Sequence, residues 1–258
     1  MHMLKDFTKE AFDIFIQAGQ SNSEGYGFGE VENPYKPCEE VYYLTREFMI
    51  ERAREQLTEN KAQSNFGLPF VREYIERGML KEGRKILIIR AAAGGTGFID
   101  KRWGMKDDLY LRMIEMIKTA LELNPENRLV ALLWHQGETD AQKGASYDTH
   151  YNNLKNLVLS VRETFGAHNL PFIAGDFVHH WKNENIELCE PIIKAIKDVC
   201  AECTPSAFVE SDGLCSNLEE LGYNPLGWTD KIHFSRVAIY KLAKRYFDAF
   251  VKINDSKL

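Results

Sequence analysis

Four short apolar segments constrain the fold of this chain more than any other feature of its sequence. They cover residues 12–17, 85–91, 129–134 and 171–175, and they are rich in isoleucine, leucine, valine or phenylalanine. Their apolar character is nearly continuous rather than alternating, which is typical of strands that are covered on both faces. The sequence therefore predicts four buried strands of a parallel sheet.

Helical patterns lie between these strands. Apolar side chains recur at helical spacing in residues 109–123 and 147–165, and further helical patterns cover residues 70–77, 192–203 and 234–251. Strands that alternate with helices form right-handed βαβ units, in which helices cover both faces of the sheet. We therefore expect an α/β fold, built as a three-layer αβα sandwich.

The chain length fits one domain of this class. One α/β domain can use all 258 residues, so we expect a single domain over residues 1–258. The segment from about residue 30 to residue 65 is charged and weakly periodic, with one candidate strand at Val41–Leu44. We interpret this segment as an excursion from the sheet.

Polar residues follow each of the four predicted strands. They form clusters at residues 19–22, 93–97, 135–138 and 176–181. Ligands of open parallel sheets bind outside the carboxyl ends of the strands. The four clusters are therefore expected to meet at one edge of the sheet and to form a site there.

Ser21 is the candidate nucleophile of this site, because it lies in a turn two residues after Gly19. A serine hydroxyl needs a neighbouring base, and His233 is the best candidate. Asp230 precedes His233 by three residues, a spacing at which a carboxylate can orient the imidazole and stabilise its protonated form. The alternative is that Asp230 caps the last helix and that His233 lies at the surface.

A serine nucleophile that attacks a carbonyl group also needs hydrogen-bond donors for the oxyanion that develops. We predict three of them: the backbone N–H of Ser21, the backbone N–H of Gly95 in a glycine-rich turn, and the side-chain amide of Gln136. The glycine-rich turn could be a flexible connection between a strand and a helix, and Gln136 could equally be a buried amide that bridges two loops.

Taken in order, these motifs resemble those of a known family. Gly19-Gln20-Ser21-Asn22, Gly94-Gly95-Thr96, the run from Gln136 to Asp140, and Asp230-x-x-His233 are similar to the sialate O-acetylesterase and acetylxylan esterase branch, carbohydrate esterase family 6, of the SGNH/GDSL hydrolases. The resemblance spans nearly the whole chain. It implies a flavodoxin-like αβα sandwich and metal-independent ester hydrolysis, with Ser21 as nucleophile, His233 as base, Asp230 as its partner, and Gly95 and Gln136 in the oxyanion hole.

The chain departs from the family pattern at Ser23, Glu24, Gly97 and His135. These positions concern the wall of the pocket more than the triad, and they bear first on the choice of substrate. Glu138 leaves a further alternative open, because its carboxylate could orient His233 in place of Asp230 or anchor a loop; we favour the anchor.

Several residues are candidates for contact with a sugar. Aromatic rings can stack on sugar rings, and polar side chains near the same edge can bind hydroxyl groups. The candidate substrate-binding residues are Asn22, Glu138, Trp103, His180 and Trp181, and the other aromatic candidates are Tyr26, Phe28 and Trp228.

Cysteine content and charge limit other functions. An odd number of cysteines, five, fits reduced thiols better than a disulfide framework. Cys200 and Cys203 are better explained as the inner face of a helix than as part of a zinc site. A net charge of −6 without a basic stripe gives no reason to expect nucleic-acid binding. No segment has the apolar length of a membrane span, and residues 1–10 lack a secretory signal. We expect a cytoplasmic location, although a chain whose signal had been removed would look the same.

The sequence thus predicts a serine esterase that removes acetyl groups from carbohydrate through an acyl-enzyme, without a cofactor or metal. Acetylxylan, acetylated oligosaccharides and sialic acid remain open as substrates, and the oligomeric state is open. Two alternatives remain: a non-catalytic carbohydrate-binding protein on the same fold, and a general short-chain carboxylesterase. An α/β-hydrolase fits less well, because Ser23 occupies the final glycine position of its nucleophile motif.

Overall fold

The computed structural model describes residues 5–222 and 227–255. Its strands are β1 Ala11–Gly19, β2 Val41–Leu44, β3 Ile50–Arg52, β4 Gln56–Thr58, β5 Lys61–Gln63, β6 Arg84–Arg90, β7 Arg128–His135, β8 Phe172–Gly175 and β9 Ser206–Val209. Seven of them form one sheet in the order β3-β2-β6-β1-β7-β8-β9, while β4 and β5 form a separate hairpin. Every pairing in the large sheet is parallel except that of β2 with β3.

Helices cover both faces of this sheet. They are α1 Ser21–Glu24, α2 Gly67–Glu76, α3 Asp108–Glu122, α4 Glu138–Gln142, α5 Tyr147–Thr164, α6 His179–Glu184, α7 Ile186–Glu202, α8 Asn217–Leu221 and α9 Arg236–Asp255. Helix α2 packs with α9 on one face, and α5 packs with α7 on the other, where α3 also lies against β1 and β6. None of the described helices combines the length and apolar character that crossing a membrane requires.

The predicted α/β sandwich is therefore confirmed, and so are its four central strands. Their side chains are buried in nearly every position of β1 and β8 and in the four central apolar positions of β6, as the continuous apolar pattern predicts. The candidate strand Val41–Leu44 is present too, and the edge strand β9 was not predicted. Val41–Leu44 is a buried strand parallel to β6, so the charged segment of residues 30–65 contributes to the sheet instead of standing outside it. Strand β9 was missed because three of its four residues are only half-buried.

Aromatic rings hold α2 and α9 against the middle of the sheet. The Phe15 ring lies 5.5 Å from that of Phe70, 5.1 Å from that of Tyr74 and 6.5 Å from that of Phe250, all at steep angles. Such edge-to-face contacts add to the free energy that burial of the rings already contributes. The central strand β1 is thereby fixed, and with it the turn that follows its carboxyl end.

A buried ion cluster stabilises the opposite end of β1. Asp13 is fully buried, and its carboxylate accepts hydrogen bonds from Tyr74 at 2.8 Å, Arg84 at 2.6 Å and Arg128 at 2.7 Å. Burial by itself raises the pKa of this carboxyl, but the bonds from Arg128, Arg84 and Tyr74 outweigh it and hold the pKa below its usual value. The cluster joins strands β1, β6 and β7 to helix α2.

We expect Asp13→Ala to lower the free energy of unfolding by about 3–5 kcal/mol, because the variant leaves the largely buried charge of Arg84 without its carboxylate partner. Urea denaturation at neutral pH measures this effect, with Asp6→Ala at the surface as the matched control. Because the folded-state pKa of Asp13 is depressed, its stabilisation is present above the unfolded value of about 3.9 and is lost as pH falls further. An unchanged urea midpoint for Asp13→Ala would contradict this account.

Candidate active site

A cavity of about 630 Å³ lies at the carboxyl ends of the central strands. It is bordered by the turns after β1 and β6, by Thr139 and Gln142 of helix α4, and by Trp228, Ile232 and His233. Two of the four polar clusters predicted from the sequence, residues 19–22 and 93–97, therefore meet there. The third, residues 135–138 after β7, contributes no lining residue. The fourth, residues 176–181 after β8, does not line this cavity.

The structure brings Ser21, His233 and Asp230 together at this cavity. Ser21 Oγ lies 2.8 Å from His233 Nε2, and His233 Nδ1 lies 2.9 Å from Asp230 Oδ1. A carboxylate can only accept, so Nδ1 carries the proton and Nε2 of the neutral ring is left to accept from the serine hydroxyl. This is the arrangement of a nucleophile, a base and an orienting acid.

The turn after β1 needs glycine to place Ser21 at the rim. Gly19 has φ of +122°, and a Cβ at this position would lie 2.1 Å from the carbonyl oxygen of His135. Gln20 N–H then donates to that same carbonyl at 2.9 Å, which ties the turn to the end of β7. Ser21 follows as the first residue of the short helix α1.

The carboxylate of Asp230 is buried and held from two sides. Burial favours its neutral form, but hydrogen bonds from the His233 ring, the Asn217 amide and the His233 N–H keep its pKa below the usual value. Asn217 Nδ2 donates to Asp230 Oδ2 at 2.8 Å, and Asn217 Oδ1 accepts from Phe28 N at 3.0 Å. Asn217 was missed by the sequence analysis, since an asparagine after a capping serine signals only a helix start.

Two backbone N–H groups at the cavity are available for an oxyanion. Ser21 and Gly95 both line the cavity, and neither N–H donates to any residue in the described part of the chain. Gly95 adopts φ of +66°, which glycine tolerates without strain. The neighbouring Gly94 N–H is already used, because it donates to Glu24 Oε2 at 2.8 Å.

Gln136, the third predicted donor, does not reach the cavity. Its side chain is fully buried, and Nε2 donates to Asp140 Oδ2 at 2.8 Å and to Thr96 O at 3.3 Å. Both partners can only accept, so the amide cannot be turned over to free its N–H groups. The captured amide supports the floor of the site, which corrects its expected place as an oxyanion donor.

Gln20 is the glutamine that borders the cavity. Its Oε1 accepts from the N–H groups of Gly137 and Thr139, at 3.4 and 3.1 Å, and these partners fix the orientation of the amide. Gln20 lines the cavity, and its Nε2 donates to no described residue. The only sequence signal was its place beside the candidate nucleophile.

Asn22 and Glu138 lie behind the cavity wall rather than at the substrate. Asn22 Nδ2 donates to Glu138 Oε1 at 2.7 Å, and both side chains are buried. Neither residue lines the cavity, so the structure does not place them as sugar-binding residues. The question about His233 also receives a geometric answer: its Nδ1 contacts Asp230, whereas Glu138 contacts Asn22.

Three other substrate-binding candidates lie elsewhere. Trp103 is fully buried against Trp134 and donates its indole N–H to Thr96 Oγ1. Trp181 packs on Phe177, and His180 lies near Glu184 and Glu219. None of the three borders the cavity. Phe28, another aromatic candidate, is fully buried.

Two aromatic candidates do flank the imidazole. The Tyr26 ring stacks on His233 with centroids 4.9 Å apart, and the Trp228 ring meets it edge-on at 5.5 Å. Trp228 is 42% exposed, so much of its ring is open to a ligand. Both residues line the cavity.

Two arginines border the same cavity, and neither was found from the sequence. Arg46 donates to Glu24 Oε1 at 2.9 Å, and Arg102 forms a bidentate pair with Asp108 at 2.8 and 2.9 Å. Each guanidinium has five donors, so both retain N–H groups for a ligand. A larger cavity of about 830 Å³ lies beyond Glu24 and Arg46, which border both spaces, but it contains no member of the triad.

The thiols and acidic groups of the described residues do not form a metal site. Within residues 5–222 and 227–255, no cluster of three His, Cys, Asp or Glu side chains is placed to hold a metal ion. The five cysteines are free thiols, and burial raises the pKa of Cys200 to about 12. Cys200 Sγ contacts the carbonyl of Ala207, in keeping with the inner face of a helix.

Comparison with known families decides the classification. Residues 11–252 match the model of a family described as carbohydrate esterase, sialic acid-specific acetylesterase. The chain belongs to this family. The match includes the nucleophile turn, the glycine-rich turn, the Gln136–Asp140 region and the Asp230–His233 pair, so the resemblance inferred from the motifs is confirmed.

Individual relatives of this carbohydrate esterase family match over shorter stretches. A probable carbohydrate esterase from Arabidopsis thaliana is 26% identical over 178 residues, which are 62% of this chain and 66% of that protein. A probable 9-O-acetyl-N-acetylneuraminic acid deacetylase from Escherichia coli is 28% identical over 88 residues, 31% of this chain and 27% of that protein. The aligned parts thus cover less than two thirds of either relative.

A solved structure supports the fold over almost the whole chain. The crystal structure of NanS superimposes with a TM-score of 0.80 at 19% identity, covering 96% of this chain and 99% of that one. At this identity the likeness concerns the fold alone. It agrees with the seven-stranded, mostly parallel sheet between two helix layers.

Proposed function

We propose that this protein is a serine esterase that removes O-acetyl groups from a carbohydrate through an acyl-enzyme. The observation that carries the proposal is the unbroken chain of contacts from Ser21 Oγ through the His233 ring to Asp230 at a cavity. Membership of a carbohydrate esterase family supports the ester bond and the sugar as the substrate class.

Acylation follows from these contacts. His233 Nε2 takes the Ser21 proton as Oγ forms a bond with the acetyl carbonyl carbon. The negative charge that develops on the carbonyl oxygen is stabilised by the N–H groups of Ser21 and Gly95. The Asp230 carboxylate stabilises the imidazolium, which then gives its proton to the sugar oxygen as the C–O bond breaks.

Deacylation repeats the same steps with water. His233 takes a proton from a water molecule whose oxygen attacks the acetyl carbon of the acyl-enzyme. Acetate leaves when the bond to Ser21 Oγ breaks and the proton returns to that oxygen from the imidazolium. No step of this cycle uses a cofactor.

A third donor for the oxyanion comes in this proposal from Gln20 rather than Gln136. The Gln20 amide borders the cavity, and its Oε1 is fixed by the N–H groups of Gly137 and Thr139, which leaves Nε2 to donate. A donor that is held in place before the reaction stabilises the developing charge without reorganisation.

The substrate we propose is an acetylated sugar that also bears a carboxylate, as sialic acids do. The family description and the name of the Escherichia coli relative both point to this class. Arg46 and Arg102 supply guanidinium groups at the cavity, and Trp228 supplies an exposed ring face for the sugar. Guanidinium groups match a carboxylate in both charge and hydrogen-bond geometry.

We expect Arg46→Gln to raise KM for an O-acetylated sialic acid by about 10-fold or more, because hydrogen bonds between charged groups contribute about 1.5–3 kcal/mol. KM for an uncharged acetylated xylo-oligosaccharide should change little. Steady-state kinetics on both substrates measure the difference, with Arg77→Gln on the exposed end of α2 as the control. Equal increases of KM for both substrates would argue against a carboxylate contact.

Acetate release from a panel of acetylated sugars tests the function itself. Wild-type protein should release acetate from carbohydrate esters, and Ser21→Ala should not. A general short-chain carboxylesterase would hydrolyse simple alkyl acetates with the same kcat/KM as sugar acetates. A non-catalytic binding protein would bind the sugar without releasing acetate, and that result would overturn the proposal.

A further inference from the structure

Glu138 is a buried carboxylate at the back of the active site that the proposed cycle does not use. It begins helix α4, directly after the turn that follows β7, and it is fully buried. Its Oε1 accepts from Asn22 Nδ2 at 2.7 Å, whereas Oε2 has no partner among the described residues. An ionised carboxylate buried this deeply is costly unless it is paired or hydrogen-bonded, and the Asn22 amide supplies such a bond.

The Asn22 amide contacts the peptide groups on both sides of His233. Its Nδ2 donates to the carbonyl of Ile232 at 2.9 Å, and its Oδ1 accepts from the N–H of Phe234 at 3.1 Å. A backbone carbonyl can only accept and a backbone N–H can only donate, so the orientation of this amide is fixed. One side chain thus holds the backbone immediately before and after the proposed base.

This contact fixes a distance that the Asp230–His233 pair cannot fix. Asp230 and His233 lie three residues apart in one loop, so a shift of that loop would carry both along together. Asn22, by contrast, is the residue next to Ser21 in the chain. Its contacts with Ile232 and Phe234 therefore join the nucleophile turn directly to the histidine loop.

Glu138 in turn holds the amide in this position. Asn22 Nδ2 has two hydrogens, and Glu138 Oε1 and the Ile232 carbonyl accept one each. Without Glu138, one of these hydrogens would be left buried without an acceptor, and the amide would lose the support that comes from the β7 side of the site.

We infer that Glu138 and Asn22 are positioning residues, which act through the backbone around His233 to keep Nε2 within reach of Ser21 Oγ. This inference rests on the proposed serine esterase function and adds two residues to it. Because these two residues align the reacting groups, their loss should lower kcat and should not change the binding of substrate. A displacement of about 1 Å in such an alignment costs about 10²-fold in rate.

Three variants test the inference by steady-state hydrolysis of an acetate ester. Glu138→Ala should lower kcat by about 10²-fold with KM nearly unchanged. Glu138→Gln keeps an oxygen acceptor for Asn22 and should recover most of that loss. Asn22→Asp should behave like Glu138→Ala, because a second carboxylate cannot donate to Ile232 and faces Glu138.

A double-mutant cycle separates positioning from simple loss of stability. If the two residues act in series, Asn22→Ala combined with Glu138→Ala lowers kcat no further than the larger single loss. Thermal denaturation of each variant defines the folded fraction to which kcat is normalised. Asp13→Ala is the control for instability alone, since it acts at the far end of β1 and should keep kcat per folded molecule.

The inference would be overturned if Glu138→Ala had the kcat of wild type, or if its effect were confined to KM. It would also be overturned if the losses of the two single variants multiplied in the double variant. Failure of the proposed function looks different, because wild-type protein would then be inactive or Ser21→Ala would be as active as wild type.

Discussion

Ser21→Ala is expected to reduce hydrolysis of an O-acetylated sugar by about 10⁴–10⁶-fold, the largest loss that one substitution in this chain should cause. The reason is chemical: alanine has no oxygen that could form the acyl-enzyme, and Ser21 Oγ is the atom that lies 2.8 Å from His233 Nε2. The donors at Ser21 N and Gly95 N would remain, so a small rate above that of water should persist.

Ser23→Ala provides a matched control two residues away in the same short helix. Ser23 is fully buried, and its hydroxyl has no hydrogen-bond partner among the described residues, so its removal should leave turnover near that of wild type. Colorimetric assay of a chromogenic acetate and direct measurement of acetate from a sugar ester both report the loss. Circular dichroism should show the same fold for both variants, because Ser21 contributes one hydrogen bond to the site. Turnover by Ser21→Ala equal to that of Ser23→Ala would refute the nucleophile assignment.

The sequence predicted the centre of this fold for a physical reason. Strands that are buried on both faces leave a continuous apolar signature, and β1, β6, β7 and β8 carry it. The edges carry no such signature. Ser206–Val209 is mostly half-buried, and Ile50–Arg52 is mostly exposed and lies within a charged segment. The edge strands therefore could not be predicted from the sequence.

The residues of the site likewise differ in how far the sequence reveals them. Ser21, Asp230 and His233 could be predicted because each stands next to a backbone feature that is visible in the sequence, namely a glycine turn or a short spacing. Arg46 could not, since only the folded course of residues 30–65 brings it to the cavity. Residues whose role in the site depends on where the side chain points were the most difficult to predict from the sequence.

Gln136 shows why direction matters. Its position after β7 suited an oxyanion donor, yet the Asp140 carboxylate four residues later captures its amide at 2.8 Å. Burial of Asp140 opposes ionisation, but hydrogen bonds from the His150 ring, the Ile99 N–H and the Gln136 amide hold its pKa below the usual value. A charged acceptor this close outcompetes a substrate oxygen that is present only during turnover. Competition of this kind leaves no trace in the spacing of residues.

Asp230→Asn is expected to lower kcat by about 10⁴-fold while leaving the three side chains nearly in place. An amide cannot satisfy the contacts that the carboxylate makes. Asp230 Oδ1 accepts from both the N–H and Nδ1 of His233, and Oδ2 accepts from Asn217 Nδ2. Asn217 cannot turn to compensate, because its Oδ1 accepts from Phe28 N and its Nδ2 donates to Tyr26 O.

Either orientation of the new amide therefore opposes one donor with another. If its NH₂ faces Asn217, the buried loop loses a hydrogen bond, and if its NH₂ faces His233, the ring must place its proton on Nε2. A proton on Nε2 prevents the ring from accepting the Ser21 hydroxyl proton, and the neutral amide no longer stabilises the imidazolium. The loss should thus appear in kcat for every acetate ester, independent of the alcohol.

Asp176→Asn is the control that separates the triad from the general removal of a buried acid. Asp176 is fully buried beside Lys182 at the end of β8, and burial raises the pKa of its carboxyl despite the bond from Lys182. It does not border the cavity, so its replacement should alter stability more than kcat. If Asp230→Asn and Asp176→Asn reduced kcat equally, the loss would result from removing any buried negative charge at this edge of the sheet. A selective loss at Asp230 would instead tie turnover to the tautomer of one imidazole, which is the physical basis of the proposed mechanism.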